Sequence, residues 1–262
     1  MHKNNDKTRE ITNKIFNSLS YAIAIAILLA IWWVIAVLID RPVLPTPGAA
    51  LLEFYSQLQM GLLHHGWVSF YRIGASLLLA LAIGIPLGIL LGTHKKLDTY
   101  VAPMVYLTYP IPKVVFLPVI LILLGFGDSS KIFLITFIVF YQILVTTRDA
   151  ARGIDPGLIM SVKSLGARNW HLYYHVYFLG CLPEILTSLR IALGTAIAVL
   201  FIAEAYATQQ GLGFFIMESM GRFNYPRMFA GIIGMALLGL IMYIMIDLFE
   251  RVFCRWKHLK KD

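Results

Sequence analysis

The sequence predicts an all-α, polytopic membrane protein with about six membrane-spanning helices and one structured loop on the cytoplasmic side. Of its 262 residues, 59% are hydrophobic and 14% are charged, whereas soluble domains carry about 45–50% apolar and about 25% charged residues. The apolar residues fall into separate runs, each close to the roughly 20 residues with which a helix crosses a bilayer. Lysines and arginines concentrate in alternate connections between these runs, which is typical of membrane proteins.

The first predicted span lies in residues 15–39, which carry no charge and follow a polar, cytoplasmic segment at residues 1–17. No small-residue cleavage site follows this run, and the run is too long for the apolar core of a signal peptide. We therefore expect it to be a retained membrane helix. Prolines at the start of residues 40–66 oppose a helix there, after which LLEFYSQL allows a short interfacial one.

The second predicted span, residues 67–92, carries a glycine at every fourth position: Gly84, Gly88 and Gly92. Positions four apart lie on the same face of a helix. Glycines on that face let a second helix approach closely. We expect the face to pack against another helix of the same chain.

The third predicted span, residues 99–127, is apolar but broken at YPIPK, where Pro110 and Pro112 precede Lys113. Two prolines remove backbone donors and disfavour helical conformation in the residues before them. Irregular backbone at membrane depth is stable only where protein or water covers it. Lys113 has two interpretations: a functional intramembrane charge or, the favoured one, a lysine that extends its amine to the headgroups.

Three further spans complete the prediction. They lie at residues 132–147, 183–203 and 228–249. The semi-polar connection at residues 205–227 separates the last two, and a basic tail, residues 251–262, ends the chain.

Between the fourth and fifth spans lies the long polar loop, residues 148–182, whose centre we predict to be two short helices joined at a glycine. Asp155 can cap the first helix with its carboxylate, and Pro156 suits the first helical position. Gly166 suits the left-handed residue that ends a helix, and residues 167–179 form the second helix. The loop is either a docking element or an ordinary amphipathic helix at the headgroups.

Charge placement predicts the orientation. With both termini in the cytoplasm, the inside segments hold 15 of the 22 lysines and arginines and the outside segments hold five. This excess accounts for the net charge of +8 without a nucleic acid partner. We therefore expect a multi-pass membrane protein, embedded in the lipid bilayer with both termini in the cytoplasm. Cys181 and Cys254 fall on the reducing side, so no disulfide is implied.

The patterns of common enzyme and metal sites are missing from the sequence. His171 and His175 lie one helical turn apart, but Leu172 stands where zinc hydrolases carry their glutamate base. Neither a GxSxG nor a GxxxxGK[ST] motif occurs. We expect no catalytic residue, metal or cofactor in this chain, so active transport would take its energy from a partner.

Several motifs together resemble the permease subunit of a binding-protein-dependent ABC importer. They are SLGA at residues 164–167, LP at 182–183, LRIALG at 189–194, AE at 203–204 and GLG at 211–213. The match is best to the branch that imports nitrate, sulfonates, taurine and related small molecules, including thiamine-pyrimidine precursors. The resemblance covers about residues 40–250.

This resemblance implies a protein of the cell inner membrane with a transmembrane permease domain at residues 18–250, whose loop at residues 148–182 carries a coupling helix. It implies two copies of an ABC ATPase subunit, an extracytoplasmic substrate-binding protein and a second permease copy as partners. The residues expected to couple to the ATPase are Asp155, Pro156, Met160, Lys163, Ser164, Leu165, Gly166 and Ala167. For the pathway of a small, anionic solute the candidates are Tyr109, Lys113, Arg190 and Glu204.

The chain departs from the family pattern in its loop. The EAA positions of the cytoplasmic signature fall on Met160, Ser161 and Val162, so the acidic residue is missing. A degenerate permease that acts as a scaffold is therefore one alternative. The other is a secondary transporter, which would need no ATPase but should show inverted repeats.

Overall fold

The computed structural model of the chain describes residues 2–206 and 208–254, with side chains from residue 20 onward except that of residue 21. Residues 255–262 of the predicted basic tail lie outside the described residues. All regular elements in the described part are helices. The longer ones are α1 (His2–Ile39), α2 (Pro47–Gln57), α3 (Leu63–Thr93), α4 (Lys95–Thr108), α6 (Asp128–Arg152), α9 (Leu179–Ala205), α10 (Leu212–Gly221) and α11 (Tyr225–Phe253). The shorter ones are α5 (Leu117–Leu124), α7 (Pro156–Ser164) and α8 (Asn169–His171).

Length and composition confirm the predicted number of spans. Five helical stretches in the described part are long and apolar enough to cross a membrane: Ala22–Ile39, Pro47–Thr93, Asp128–Arg152, Asn169–Ala205 and Tyr225–Phe253. A sixth forms when α4 and Lys113–Leu124 are taken together, although they are bent by 80°. The stretch Pro47–Thr93 is itself kinked between α2 and α3 at Gly61, whose φ of 113° suits glycine.

The break in the third span lies where the prolines predict it, and it accounts for the position of the Lys113 amine. The lysine is only 9% exposed, and its Nζ donates to the carbonyls of Thr108 (3.2 Å) and Tyr109 (3.0 Å). Carbonyls at a helix end lack intrahelical donors, and the amine supplies one. The favoured interpretation of a lysine reaching the headgroups is therefore wrong, because the amine turns back onto the end of α4.

The glycines of α3 pack against α6, as predicted. A Cβ at Gly84 would lie 2.9 Å from Cγ2 of Ile143, and one at Gly88 would lie 2.6 Å from Cβ of Thr147. At Gly92 the nearest atom would be the carbonyl oxygen of Arg148, at 2.5 Å. Since real Cβ atoms need more than 3 Å, α3 and α6 can pack this closely only with glycine on this face.

The fifth helix begins earlier than predicted. A π-helical turn, Leu172–Phe178, joins α8 to α9, so that one helix of 37 residues runs over Asn169–Ala205. Pro183 lies inside it rather than at its start. The helix continues through the proline because Cys181 and Ile185, on either side, are buried against Ala151 of α6. The two separate helices predicted around residue 183 are therefore wrong.

The semi-polar connection contains a buried helix that the sequence analysis did not predict. Leu212, Phe215 and Ile216 of α10 are buried, and Gly231 of α11 lies against the last two. The final helix then runs to Phe253, four residues beyond the predicted end of the sixth span.

A single added methyl group tests the packing of α3 on α6. Gly88→Ala should lower the thermal stability of the detergent-solubilised protein, because overpacking costs about 1–3 kcal/mol. Gly74→Ala is the matched control: it lies in the same helix with nothing within 4 Å of the added Cβ, and alanine favours a helix by about 1 kcal/mol over glycine. Equal melting temperatures for the two variants would contradict the close packing.

Candidate functional site

The helix α7 follows the end of α6 and lies on the surface of the protein. Each of its residues is at least partly exposed. As predicted, Asp155 caps it: Oδ1 accepts a hydrogen bond from the backbone N–H of Gly157 at 2.8 Å, and Pro156 occupies the first turn. The cap satisfies a donor that has no partner within the helix. A short helix is thereby fixed in an exposed position.

A Schellman motif ends α7. Gly166 has a φ of 82°, its N–H donates to the carbonyl of Lys163, and the N–H of Ala167 donates to the carbonyl of Val162. These are the two backbone bonds that define the motif. The turn that Gly166 makes leaves Leu165 87% exposed at the tip of the loop.

Apolar side chains form an exposed surface on this loop. Leu158 is 51% exposed and Met160 is 68% exposed. Together with Leu165 we call them the α7 surface. Lys163 and Ser164 are exposed beside them, whereas Ala167 is partly covered. Leu158 and Met160 are two positions apart and therefore point to different sides of α7. A short helix that leaves apolar side chains exposed on more than one side is typical of a site of contact with a protein or a membrane.

A buried ion-pair cluster anchors the base of the loop. Arg148 of α6 donates through Nε and Nη2 to both carboxylate oxygens of Asp98, at the start of α4. Nη2 of Arg152 lies 3.2 Å from the same carboxylate, and Nη1 of Arg148 is 3.2 Å from the hydroxyl of Tyr106. Asp98 is 4% exposed and Arg148 is 7% exposed. The last turn of α6 is therefore tied to α4 just before the loop begins.

The sequence analysis missed this cluster. It counted Arg148 and Arg152 only among the 15 lysines and arginines of the inside segments. The available signal was Asp98, the only acidic residue between Glu53 and Asp128. A lone acid at the edge of a span indicates a partner within the protein.

A second buried cluster lies at the opposite ends of the spans, around Glu204. Its carboxylate accepts hydrogen bonds from Nη1 of Arg72 (2.7 Å), the hydroxyl of Ser69 (2.9 Å) and the N–H of Gly213 (2.9 Å). Nη2 of Arg72 also lies 2.7 Å from Asp128. The cluster joins α3, α6 and α9 to the start of α10. It also explains the AE and GLG motifs, since a Cβ at Gly213 would clash with Glu204.

The four pathway candidates do not form one site. Tyr109 is 50% exposed and lies beside Lys113, whose Nζ is 5.5 Å from its ring centre. Arg190 instead pairs with Glu250 of α11 and lies 3.8 Å from Asp247. Glu204 belongs to the cluster of Arg72. The structure brings the first two candidates together and engages the other two in separate contacts between helices.

Comparison with known proteins identifies the family. The model of the binding-protein-dependent transport system inner membrane component family matches residues 84–253. SsuC of Bacillus subtilis (strain 168), an aliphatic sulfonates transport permease, is 32% identical over 88% of this chain and 85% of its own length. TauC of Escherichia coli (strain K12), a taurine transport system permease, is 31% identical over 87% of this chain and 86% of its own length.

The chain therefore belongs to the binding-protein-dependent transport system inner membrane component family and is a permease subunit of an ABC importer. A solved structure supports the fold. A chain of the inward-facing MetNI methionine ABC transporter superposes with a TM-score of 0.66 at 22% identity, covering 75% of this chain and 98% of that one.

Proposed function

We propose that this permease imports a small sulfonate-like solute and that two copies of it form the pathway. The sulfonate class follows from the two relatives, which are named as permeases for aliphatic sulfonates and for taurine. A pathway for a polar solute needs helices on all sides, and closed two-fold dimers are the commonest way to double a chain. Both termini and α7 lie on the cytoplasmic side in this proposal, as the distribution of lysines and arginines favours.

The α7 surface is the docking site for an ATP-binding subunit, one on each permease copy. The single observation that carries this assignment is that α7 is capped at both ends and yet buries none of its apolar residues within the described protein. The remaining members of the site are Asp155 and Pro156, which start the helix, and Gly166 and Ala167, which end it. Lys163 and Ser164 provide a polar rim beside the apolar side chains.

Docking here depends on apolar packing more than on charge. Met160 stands at the position where the family signature carries its acid. A flexible thioether adapts to the shape of a groove, so a partner can still hold the helix firmly. If this packing were too weak, the permease would bind no ATPase and would act only as a scaffold.

Movement of α7 reaches the membrane through Asp98. Only three residues, 153–155, separate α7 from α6. Arg148 and Arg152 hold the end of α6 to the start of α4, and the other end of α4 carries the break at Tyr109 and Lys113. A buried pair resists separation because each charge would lose its partner. A displacement of α7 therefore moves α4 and α6 as one body.

Of the four pathway candidates, we keep Tyr109 as a residue facing the solute, with Lys113 supporting it. Arg190 and Glu204 hold helices together. An extracytoplasmic binding protein would deliver the solute at the opposite ends of the spans, where Thr208, Gln209 and Gln210 border a polar crevice.

A charge on the α7 surface tests the docking site. Leu158→Asp, at a side chain that is 51% exposed, should weaken binding of the co-expressed ATP-binding subunit by at least about tenfold, since a desolvated apolar contact would become a buried carboxylate. Phe223→Asp is the control, because this side chain is 76% exposed in the turn before α11, outside the loop. The amount of ATPase co-purified in detergent is measured. Equal recovery from both variants would refute docking at α7.

Removing the Asp98 charge tests whether a displacement of α7 is transmitted to the spans. In proteoliposomes, Asp98→Asn should lower the solute transported per ATP hydrolysed by about tenfold, because Arg148 and Arg152 lose their common partner. Asp149→Asn is the control: it touches the same Arg148 at 3.2 Å, but its side chain is 57% exposed. Asp98→Glu should restore part of the ratio. Unchanged coupling in Asp98→Asn would show that the cluster serves stability alone.

A further inference from the structure

Polar side chains from α6 and α9 face a groove of about 260 Å³ in the half of the two helices that is nearer to α7. Gln142 and Thr146 line it from α6, one helical turn apart. From α9 come Glu184, Thr187 and Ser188. The hydroxyls of Thr146 and Ser188 are hydrogen-bonded across it at 3.1 Å. Hydroxyl, amide and carboxylate groups thus meet inside two candidate membrane spans.

The carboxylate of Glu184 lies in a different environment from those of the other acidic residues in the spans. Asp98, Glu204 and Glu250 are each paired with an arginine. Glu184 is exposed, and within the described residues neither it nor Gln142 has a hydrogen bond or ion pair. A carboxylate on an apolar helix without an internal partner is stable when it faces water or a ligand.

The same face of α9 continues toward the other end of the helix mostly with small residues. Thr187, Gly194, Thr195 and Ala198 are exposed at helical spacing, and Ile191, which is 64% exposed, is the one large aliphatic side chain among them. Faces of other spans that are exposed carry large aliphatic side chains instead, as at Leu78, Leu79 and Ile83 of α3 or Leu240, Ile241 and Ile244 of α11. Large aliphatic faces suit lipid, whereas a small, polar face does not.

We propose that this groove lines the solute pathway and binds a solute that carries an ammonium group beside its sulfonate. The proposal rests on the importer function above and narrows its substrate class. The Gln142 amide and the Ser188 hydroxyl can donate to sulfonate oxygens, and the Glu184 carboxylate can accept from the ammonium. The hydroxyls of Thr146 and Thr187 already donate to Ser188 and to the carbonyl of Pro183. The lining contains no lysine or arginine, so a purely anionic solute would find no cationic partner there and would be repelled by Glu184.

The groove is connected through α6 to the break in the third span. On α6, Tyr141 lies next to Gln142, and its ring packs under the amine of Lys113 at 4.2 Å while its hydroxyl meets Thr108 at 3.1 Å. The break between α4 and α5 therefore contacts the helix that forms one wall of the groove. Displacement of α4 would change the groove through this contact.

Thiol modification of the permease–ATPase complex in proteoliposomes tests the proposal. In a Cys181→Ala, Cys254→Ala background, Thr187→Cys should react with a water-soluble, charged methanethiosulfonate at least about tenfold faster than Leu79→Cys, because thiolates form in water and not in lipid. Millimolar taurine should slow the reaction at Thr187→Cys more than ethanesulfonate does. Adding Glu184→Gln should reduce that difference by about fivefold.

Each other outcome would overturn the proposal. Reaction as slow as at Leu79→Cys would place the face in lipid, and a spontaneous disulfide between two permease copies would place it in their interface. If Thr187→Cys reacts fast but taurine and ethanesulfonate protect it equally, or neither protects it, the groove does not select a solute with an ammonium group. Labelling does not depend on uptake, so a complex that shows protection but no ATP-driven uptake would contradict the importer function and leave the groove in place.

Discussion

Charged side chains at membrane depth must find their partners within the protein, and this constraint determines how the helices of the permease are arranged. A bilayer offers no water to a buried ion, so each charge is stable only when another group offsets it. Asp98 with Arg148 joins α4 to α6, and Glu204 with Arg72 joins α9 to α3. The two clusters lie at opposite ends of the helix bundle. Between them, α3 and α6 pack closely along the glycine face.

The same constraint separates structural charges from functional ones. A charge that already has an internal partner is poorly placed to bind a passing solute, since binding would require the pair to break. Lys113 and Arg190 are engaged in this way, the lysine with backbone carbonyls and the arginine with α11. The groups that we propose to meet a solute are the Gln142 amide, the Ser188 hydroxyl and the Glu184 carboxylate, between α6 and α9. Contacts as few as these allow a solute to leave as readily as it enters.

Local signals in the sequence predicted the parts of the fold that depend on a few neighbouring residues. The cap at Asp155, the left-handed Gly166 and the break at YPIPK are of this kind, because each follows from the conformational limits of its own residues. The sequence could not predict the pairing of Asp98 with Arg148, which lie 50 positions apart. It also gave Pro183 too much weight, since burial of Cys181 and Ile185 against α6 keeps the helix continuous.

ATP-dependent uptake by the purified permease–ATPase complex tests the central claim most directly. Proteoliposomes would receive the solute-loaded binding protein outside and ATP or ADP inside, with uptake of labelled taurine and ATP hydrolysis recorded together. The account predicts uptake only with ATP and the loaded binding protein, with hydrolysis stimulated by that protein. Uptake that follows an ion gradient and ignores ATP, or a permease that retains no ATPase, would contradict it.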